Sequence, residues 1–586
     1  MGISPSALIF MKYIISKSLK RASLPPSIQL PLDSTEEQIV NFLRSAAEDI
    51  GIVVGHKIGL RICGGWVRDK FLNNPSKDID ITVDTMGGDQ FAAWLHKVAI
   101  QRYGQQQEVV TEAKTTEERP EQIKNLAVAF LRIFGQDVEI LPLRGNEVYE
   151  EGNRNPLSTQ SAGPEQDAFR RDLTINSLFY NINTGQVEDF TGMGYDDLLT
   201  MTLRTPTRRG HLPIDEATRI LTEDPLRLLR ILRFQARYSN SKIAPEVLEA
   251  MADPKVQHQI VRRLYGDTGA GIVPERTADE LRKLLMGKQP DVALRTMYEV
   301  GLLQKLLLLP SEYNPLEMDQ KNKHHALTII EHTLAVVKNV NDLSKEFGLD
   351  NKQRMMMNFS ALYHDIGKLD PRSHKNKEDG TRGYTGDPAN PDHIAHEQAS
   401  QERWDFFADA LKLSDEEKST VSELVLNHMN PHSHVEGMEN DPTDQQLRRY
   451  LRKNPSWVFQ YIHAMADTMS KDTEPNPEAA DPYRANLERL KSLAPTADSF
   501  GNSPPVVELL KGQEIMQLVG LPPRPPVQPG GYKLLGYIEV VKEAIREAQD
   551  QNPQIIHTDA VRIVQDLVNL GRMGQGVLAP YFRNVV

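Results

Sequence analysis

Between Arg61 and Asp84 the sequence reads RICGGWVRDKFLNNPSKDIDITVD. An apolar strand in this stretch carries Asp78 and Asp80 on one side, because alternate residues of a strand point the same way. Two carboxylates held that close repel each other, so a positive group is expected between them. Hard cations such as Mg²⁺ take one or two carboxylates plus the phosphate oxygens of a substrate. The stretch predicts a magnesium site, although an isolated pair of this kind is more often two solvated surface aspartates.

The glycine pair Gly64 and Gly65 separates the predicted strand from a helical run between Trp66 and Leu72. Glycines let the backbone approach a ligand closely, and a helix N-terminus offers unpaired N–H groups to an anion. Arg68 adds a positive charge in the same run. We therefore expect these residues to bind the triphosphate of a nucleotide.

The composition of the chain limits its class. A length of 586 residues is too great for one hydrophobic core and predicts roughly three to five domains. No apolar run reaches the ~20 residues that cross a bilayer, so we expect no membrane partner. The single cysteine, Cys63, excludes an intramolecular disulfide framework and indicates a reducing compartment. A net charge of −12 argues against non-specific binding of nucleic acid, but arginine clusters allow local binding of a polyanion.

The first 32 residues contain no acidic residue but carry Lys12, Lys17, Lys20 and Arg21 among several serines. This composition is typical of an organellar presequence. A disordered or wrongly assigned start explains it equally well. We therefore predict a cytoplasmic protein, with a mitochondrial presequence as the alternative.

The pattern of apolar residues changes along the chain. Strands are predicted at residues 58–63, 79–83, 127–133 and 138–141, mixed with helices, and beyond Asp224 almost every segment has a helical period. The fold class is therefore α+β, with a mixed N-terminal head followed by helical domains.

A second motif runs from Arg170 to Phe179 and reads RRDLTINSLF. Arg171 can reach phosphate oxygens, while Asp172 and Asn176 offer acceptors and donors to sugar hydroxyls. This pattern is suited to the selection of a ribonucleotide. The structural alternative is an exposed helix start at which Asp172 serves as a cap.

A third motif, EDPLRLLRILRF, begins at Glu223. Asp224, Arg227 and Arg230 are three residues apart, so on one helix they share a face. Cytosine and adenine each show an amino donor beside a ring-nitrogen acceptor, whereas uracil and guanine show a carbonyl beside an N–H. An Asp224/Arg227 pair would therefore accept CTP and ATP and refuse UTP and GTP. The structural alternative is an ordinary ion pair on a helix.

The strand with its glycine pair resembles the nucleotidyltransferase signature of the DNA polymerase beta superfamily. With the other two motifs, the chain resembles class II tRNA nucleotidyltransferases, the CCA-adding enzymes. The resemblance implies tRNA as partner, CTP and ATP as substrates, and Mg²⁺ held by Asp78 and Asp80 with Glu139 as third carboxylate. The nucleotide-binding residues that it implies are Gly64, Gly65, Arg68, Arg171, Asp172, Asn176, Asp224, Arg227, Arg230 and Arg233.

Two further segments extend the resemblance, which covers residues 58–285 in the family's order. Residues 189–198 are similar to the family's hinge segment, and residues 275–285 are similar to the helix that braces the base-selecting helix. Residues 118–126 lie where the family has a flexible loop thought to help the switch from C to A addition. The extended segment 204–221 is a departure from the family.

Histidines and aspartates recur in the helical second half, where histidine with carboxylate suits a transition metal, Mg²⁺ or Mn²⁺. Their order resembles the HD-domain phosphohydrolases. The resemblance implies a divalent metal, Ni²⁺, Mn²⁺ or Mg²⁺, and a phosphoester substrate such as a 2′,3′-cyclic phosphate on an RNA end. The ligands that it implies are His332, His364, Asp365, His428 and Asp467, with His393 or His396 for a second metal.

These motifs predict five segments: a flexible segment or presequence at 1–34, a nucleotidyltransferase head at 35–200, a helical neck and RNA-binding body at 201–310, an HD domain at 320–495 and a helical tail at 500–586. Addition of CCA to tRNA is the preferred function, and CC-only or A-only addition stays open. The alternatives are a bacterial-type poly(A) polymerase, which usually has a basic C-terminal tail, and a metal-dependent phosphohydrolase with an inactive head. The oligomeric state is not predicted.

Overall fold

The computed structural model describes most of the chain, in the following ranges: 30–74, 78–104, 109–111, 114–115, 128–148, 158–161, 163–265, 272–321, 326–434, 442–474, 476–493, 509–520, 537–552, 555–573, 575 and 577–578. Two predicted segments, residues 1–29 and the loop at 118–126, lie outside these ranges. The chain divides into two compact units. The first is Met1–Ser311 with Asp405–Ser414, and the second is Glu312–Trp404 with Asp415–Val586.

The first unit begins with a mixed region. Its helices are α1 (Ser34–Val54), α2 (Gly65–Phe71), α3 (Gly88–Tyr103), α4 (Pro164–Phe169) and α5 (Gly194–Leu199). Its strands are β1 (Leu60–Cys63), β2 (Ile79–Val83), β3 (Lys114–Thr115), β4 (Ala129–Ile133), β5 (Gln136–Pro142), β6 (Arg144–Val148), β7 (Ser158–Ser161), β8 (Leu178–Asn181) and β9 (Gln186–Asp189).

Seven of these strands form one sheet in the order β3-β4-β5-β2-β1-β8-β9. The pair β2 and β5 is parallel, and the other neighbours are antiparallel. The strand β2 alternates buried Ile79 and Ile81 with half-buried Asp80, so one face of the strand packs into the core while the carboxylate stands on the other.

The rest of the first unit is helical apart from a short parallel pair of strands, β10 (Thr202–Leu203) and β11 (Lys242–Ile243). Its helices are α6 (Pro213–Glu223), α7 (Leu226–Arg237), α8 (Pro245–Ala252), α9 (Pro254–Tyr265), α10 (Pro274–Leu285), α11 (Pro290–Glu299) and α12 (Leu303–Leu306). The helix α7 buries Leu228, Leu229, Ile231 and Leu232, which leaves its arginines on the opposite side.

The second unit is helical with one short hairpin, β12 (Lys375–Asn376) and β13 (Arg382–Gly383). Its helices are α13 (Ile329–Glu346), α14 (Asn351–Tyr363), α15 (His396–Ala410), α16 (Asp415–Leu426), α17 (Asp444–Lys453), α18 (Trp457–Met469), α19 (Asp481–Leu493), α20 (Gly512–Val519), α21 (Tyr537–Gln551) and α22 (His557–Arg572). The C-terminal part of α15 is grouped with the first unit.

The predicted α+β class is confirmed, and the strand expected at 79–83 has those bounds in the structure. The strand expected at 58–63 is shorter, and the one expected at 138–141 is longer. Cys63 is buried at the end of β1, as expected, and burial raises the pKa of its thiol to about 11. Within the ranges that the structure describes, no helix combines the length and apolar character needed to span a membrane.

Candidate active site and candidate metal centre

The three carboxylates predicted to bind metal in the head lie on one side of the sheet. Asp80 on β2 stands opposite Glu139 on β5 in the parallel register, and neighbouring strands are about 4.8 Å apart. Asp78 precedes Asp80 by two residues, so the alternation of the strand places it on the same face. All three line a cavity of about 800 Å³.

Burial raises the pKa of Asp80, and the neighbouring Asp78 raises it further, while Arg171 acts in the opposite direction. Such a shift means that the negative charge is incompletely compensated by the protein. Oxygen donors in this arrangement fit a hard divalent cation, which would supply the missing positive charge.

Gly64 connects β1 to α2 in a conformation that favours glycine. Its φ is 70°, and a Cβ atom there would lie 3.2 Å from Nη1 of Arg171. A side chain at this position would therefore strain the backbone and crowd the guanidinium. The helix α2 has only seven residues, so we assign the expected attraction for phosphate mainly to the arginines.

The guanidinium of Arg171 is fixed in place. Nη2 and Nε donate to Oδ2 of Asp167 at 2.7 and 3.0 Å, and Nη1 donates to the carbonyl of Asn176 at 3.2 Å. The group also lies over the ring of Phe179, 5.0 Å from its centroid. These contacts hold the guanidinium of Arg171 next to the turn at Gly64 and Gly65, which is called the glycine turn below.

A chain of hydrogen bonds connects four of the predicted nucleotide-binding residues. Arg68 donates from Nη1 to Oδ1 of Asn176 at 2.6 Å, and Asn176 donates from Nδ2 to Oδ1 of Asp172 at 2.9 Å. Arg230 of α7 donates from Nε to Oδ2 of Asp172 at 2.6 Å. Although burial opposes it, Arg230 and Asn176 hold the pKa of Asp172 well below its usual range.

The structure corrects the placement of Asp224. The sequence interpretation put it on one helix with Arg227 and Arg230, but Asp224 is extended, with φ −135° and ψ 103°, between the end of α6 and the start of α7. The reason is Pro225, which disfavours the helical conformation of the residue before it. Oδ1 of Asp224 accepts from the backbone N–H of Leu226 at 3.0 Å and caps α7.

Arg227 contacts the end of α6. Its Nη1 donates to the carbonyl of Ile220 at 3.1 Å and to Oε2 of Glu223 at 3.3 Å. The ion pair that the structure records for it, in the part of the chain described, is with Glu223 rather than with Asp224. Arg263 of α9 donates to the carbonyls of Thr222 and Glu223 at 2.5 and 3.0 Å.

The other arginines of α7 also pair with carboxylates. Arg233 lies 2.8 Å from Glu280 of α10, and Arg237 lies 3.6 Å from Asp69 of α2. The contact between Arg233 and Glu280 agrees with the expectation that residues 275–285 brace this helix. These pairs join α7 to the head and to α10.

One cavity of about 460 Å³ collects the predicted nucleotide-binding residues. All ten of them line it, together with Asp80. The sequence analysis missed four further cations in its wall, Arg170, Arg237, Arg276 and Lys283. Arg170 and Arg237 stand inside or directly beside the quoted motifs, so an inspection of all cations near those motifs would have found them.

In the second unit, three ligand atoms form a nearly equilateral triangle. Nε2 of His332 lies 3.3 Å from Nε2 of His364 and 3.4 Å from Oδ2 of Asp365, and Nε2 of His364 lies 3.3 Å from that oxygen. Two ligand atoms about 2.1 Å from one ion at a tetrahedral angle stand about 3.4 Å apart. Oδ1 of Asp467 lies 2.9 Å from Nε2 of His332, so it borders the same triangle.

The tautomers of these rings follow from their backbone contacts. Nδ1 of His332 lies 3.0 Å from the carbonyl of Ser470, and Nδ1 of His364 lies 2.8 Å from that of Ala361. A carbonyl only accepts, so Nδ1 of each ring carries a proton and Nε2 is the ring atom that faces the triangle. The donor set therefore fits a divalent transition metal.

The structure divides the predicted ligands. His428 does not complete the first triangle but belongs to a second group with Asp365 and His396. His393, the other candidate for a second metal, is exposed, and its Nδ1 contacts the carbonyl of Asn390 at 2.6 Å. The ligands come from separate parts of the sequence that meet only in the folded chain. The sequence therefore cannot show which histidine ring faces which oxygen of Asp365.

Two further histidines, His432 and His463, were missed. Nε2 of His432 lies 3.0 Å from Oδ2 of Asp467, and the ring of His463 lies 5.0 Å from that of His364. A sequence signal existed, since His432 follows His428 by four residues and Asp467 follows His463 by four, a spacing that shares a helix face.

A cavity of about 350 Å³ opens beside the histidine cluster. Asp365, His396, His428 and Asp467 line it, and so do four cations, Lys368, Lys377, Arg382 and Lys471. Two of these cations, Lys377 and Arg382, come from the hairpin of β12 and β13, so this hairpin shapes the cavity. Cations beside a metal centre suit an anionic substrate.

Comparison with known families gives three matches along the chain. Residues 60–204 match the family described as "Poly A polymerase head domain", and residues 270–312 match "Probable RNA and SrmB- binding site of polymerase A". Residues 329–454 match "HD domain". Both candidate sites lie mainly within these matches.

Two curated relatives are similar to this chain in sequence. The mitochondrial CCA tRNA nucleotidyltransferase of Saccharomyces cerevisiae is 35% identical over 297 residues, which cover 50% of this chain and 51% of the yeast protein. The match thus spans about half the length of that relative. The Multifunctional CCA protein of Actinobacillus pleuropneumoniae serotype 5b is 27% identical over 383 residues, which cover 64% of this chain and 76% of that protein.

A solved CCA-adding enzyme in complex with CTP is similar in fold, with a TM-score of 0.54 and 14% sequence identity. The alignment covers 93% of this chain and 99% of that structure. The chain therefore has the fold of CCA-adding enzymes, and within it residues 60–204 match the poly A polymerase head domain and residues 329–454 match the HD domain.

Proposed function

We propose that the chain adds CCA, or part of it, to the 3′ ends of tRNA from CTP and ATP. The observation that carries this proposal is the single cavity in which Asp80 meets the glycine turn, the arginines of the second motif and Asp224 with Arg227. The names of the yeast and bacterial relatives support the same activity.

In this proposal Asp78, Asp80 and Glu139 hold Mg²⁺ on the face of the sheet. The bound metal would lower the pKa of the attacking 3′-hydroxyl and neutralise charge on the leaving pyrophosphate. Arg171, held by Asp167, orients the triphosphate at the glycine turn. Fixed donors of this kind need no reorganisation when charge develops.

Sugar and base are bound by neighbouring groups. Asp172 and Asn176, connected by a hydrogen bond, face the ribose hydroxyls. Asp224 presents an acceptor and Arg227 presents donors to the Watson–Crick edge of the base. Arg227 is hydrogen-bonded to Ile220 and Glu223 of α6. Asp224 and Arg227 therefore contact the base from adjacent positions and need no ion pair with each other.

The test is incorporation of each labelled NTP separately into tRNAs that end at the discriminator base, at C and at CC. Two C additions followed by one A are expected. Asp224→Ala or Arg227→Ala should admit UTP or GTP, and an unchanged preference for CTP and ATP would refute the base-selecting role. Long A tracts on any RNA would instead identify a poly(A) polymerase.

We further propose that the histidine cluster is a metal-dependent phosphoesterase. The observation that favours this second function is the triangle of His332, His364 and Asp365 beside a cavity with four cations. The metal is Ni²⁺, Mn²⁺ or Mg²⁺, and the substrate is a phosphoester such as a cyclic phosphate on an RNA end.

The test is hydrolysis of an RNA that ends in a 2′,3′-cyclic phosphate, with each metal added in turn to metal-free protein. Hydrolysis that requires a metal and is lost in His364→Ala is expected. Hydrolysis that persists in His364→Ala would refute this assignment.

The location of the protein is also a proposal. The yeast relative is named as mitochondrial, and the composition of the residues before Asp33 is typical of a presequence. We propose import into mitochondria together with a cytoplasmic pool. Loss of mitochondrial signal from a full-length fluorescent fusion after charge reversal of Lys17, Lys20 and Arg21 would support import.

A further inference from the structure

Phe130 is an exposed aromatic residue on the same face of the sheet as the candidate metal ligands of the head. The residue is 43% exposed, and β4 alternates buried and exposed residues, so its ring points away from the core. Phe130 lies opposite Glu139 in the antiparallel register, and Glu139 lies opposite Asp80. Residues directly opposite each other on neighbouring strands share a face, with Cβ atoms about 4.5–5.5 Å apart. The ring therefore lies beside the carboxylates, two strand spacings from Asp80.

The same ring lines the larger of the two cavities in the first unit. The cavity of about 800 Å³ is lined by Phe130 together with Asp78, Asp80 and Glu139. The cavity of about 460 Å³ is lined by Asp80 and by the ten predicted nucleotide-binding residues, none of which lines the larger cavity. Asp80 is thus a carboxylate that the two cavities share.

This division indicates which substrate each cavity takes. Nucleotidyl transfer needs the phosphate of the nucleotide and the attacking 3′-hydroxyl at the same metal site. Because the nucleotide is held on the side of Arg171 and the glycine turn, the end of the RNA approaches from the larger cavity. The terminal base is carried by the same ribose as the attacking hydroxyl. This base must therefore lie within one sugar of the carboxylates, which is where Phe130 stands.

The chemistry of the ring suits an acceptor whose last base changes. Under the proposed function, the RNA ends in the discriminator base before the first addition and in C before the next two. A site that bound the hydrogen-bonding edge of this base would reject some of these ends. Stacking on an aromatic side chain is tolerant of sequence, because every base has a π-face.

We propose that Phe130 is the stacking platform for the base at the 3′ end of the acceptor RNA. The inference rests on the proposed nucleotidyl transfer, which assigns the smaller cavity to the incoming nucleotide. The stacked base holds the 3′-hydroxyl toward the three carboxylates, while Asp224 and Arg227 select the nucleotide that is added. Phe130 therefore binds the acceptor without specifying its base.

The first experiment tests this contact without catalysis. A tRNA that ends in 5-iodocytidine at the first C of CCA is irradiated with the full chain in the absence of nucleotide, and the crosslinked peptide is identified by mass spectrometry. Iodinated pyrimidines crosslink to aromatic rings that are stacked on them. A crosslink at Phe130 is expected, and it should persist in Phe130→Tyr. Crosslinks at other positions, with none at Phe130, would overturn the proposal.

The second experiment separates the two substrates kinetically. Phe130→Leu keeps an apolar side chain but removes the ring, so it should raise the KM for tRNA by about ten-fold, the loss expected for one stacked base. The KM for CTP should stay unchanged, and Phe130→Tyr should keep both constants at the wild-type values. An unchanged KM for tRNA in Phe130→Leu, or an equal rise in the KM for CTP, would overturn the proposal.

Leu199→Ala is the matched control for these constants. Leu199 is also an exposed apolar residue of the first unit, but it lines neither cavity, so its substitution should leave both constants unchanged. If thermal unfolding shows that Phe130→Leu is misfolded, Phe130→Met replaces it with the same expected result.

Failure of this inference is distinguishable from failure of the proposed function. A crosslink at Phe130 without any nucleotide incorporation by the wild type would refute nucleotidyl transfer and retain the platform. Incorporation in the expected order, with no crosslink at Phe130 and an unchanged KM for tRNA in Phe130→Leu, would retain the proposed function and overturn the platform.

Discussion

The two candidate sites balance their charges in opposite ways. In the candidate active site of the first unit, the arginines of α7 are paired with protein carboxylates, such as Arg230 with Asp172 and Arg233 with Glu280. In the histidine cluster, imidazole nitrogens converge on Asp365 and Asp467, and the residues themselves are almost fully buried. The candidate active site of the first unit is therefore an open, ion-paired surface, whereas the histidine cluster is a small enclosed donor set.

This difference indicates what each site binds. Ion pairs at the surface of a cavity can be partly exchanged for contacts with a large charged ligand that must enter and leave. Buried imidazole rings whose orientation is fixed by backbone carbonyls are arranged before any ligand arrives, which favours tight binding of a small ion. The two sites should therefore respond independently to substitution.

The largest effect is expected for Asp80→Asn. Loss of this carboxylate should lower nucleotide incorporation on the order of 10³-fold or more, because metal assistance is worth several kcal/mol. The measurement is the single-turnover rate of CTP addition to tRNA. Asp137→Asn is the matched control, since Asp137 lines the same cavity but is exposed and paired with Arg132, and it should retain the rate.

The next effect concerns the cluster alone. His364→Ala should weaken metal binding to the cluster by about 100-fold or more, because removal of a direct ligand costs more than removal of a group that only orients a ligand. Equilibrium dialysis measures this affinity. CTP addition should remain at the wild-type rate, and a large loss of incorporation in this variant would contradict the independence of the sites.

A smaller effect is expected for Asp172→Asn, which weakens the pair with Arg230. The free energy of unfolding should fall by about 1–3 kcal/mol at neutral pH. The pKa of Asp172 is held low in the folded chain, so its contribution is complete above pH ~4, where the unfolded carboxyl is ionised, and is lost as the pH falls further.

The check is a pair of denaturation series, for wild type and Asp172→Asn, between neutral and acidic pH. The difference in free energy of unfolding between the two proteins should shrink as the pH falls below about 4. A constant difference over this range would show that the charge of Asp172 is not the stabilising feature.

The smallest effect is expected for Arg263→Ala. Arg263 holds the carbonyls of Thr222 and Glu223 just before Asp224, so its loss should loosen the position of that carboxylate. We expect the preference for CTP over UTP to fall by about ten-fold or less, which corresponds to one charge-assisted hydrogen bond. The neighbouring Arg262→Ala is the control and should leave the preference unchanged.

The candidate active site of the first unit was largely predictable because its residues lie in three short continuous motifs. A strand places Asp78 and Asp80 together whatever the rest of the fold, and the ten residues taken from three motifs line one cavity. Asp224 was wrongly placed on the helix because the helical spacing of the arginines was extended backwards through Pro225. The proline itself indicated that the preceding residue would be extended.

The histidine cluster was predictable as a set but not as an arrangement. The ligands come from separated segments, so their division about Asp365 depends on tertiary packing that spacing does not encode. His396 faces the cluster, whereas His393, three residues earlier, is exposed.

We propose that the cavity between the sheet and α7 in the first unit performs CCA addition without the histidine cluster. The most direct test measures incorporation of CTP and then ATP into tRNA lacking CCA by wild type, Asp80→Asn and His364→Ala in parallel. The account predicts two C and one A with wild type and with His364→Ala, and no addition with Asp80→Asn. Addition by Asp80→Asn, or its loss in His364→Ala, would contradict the account.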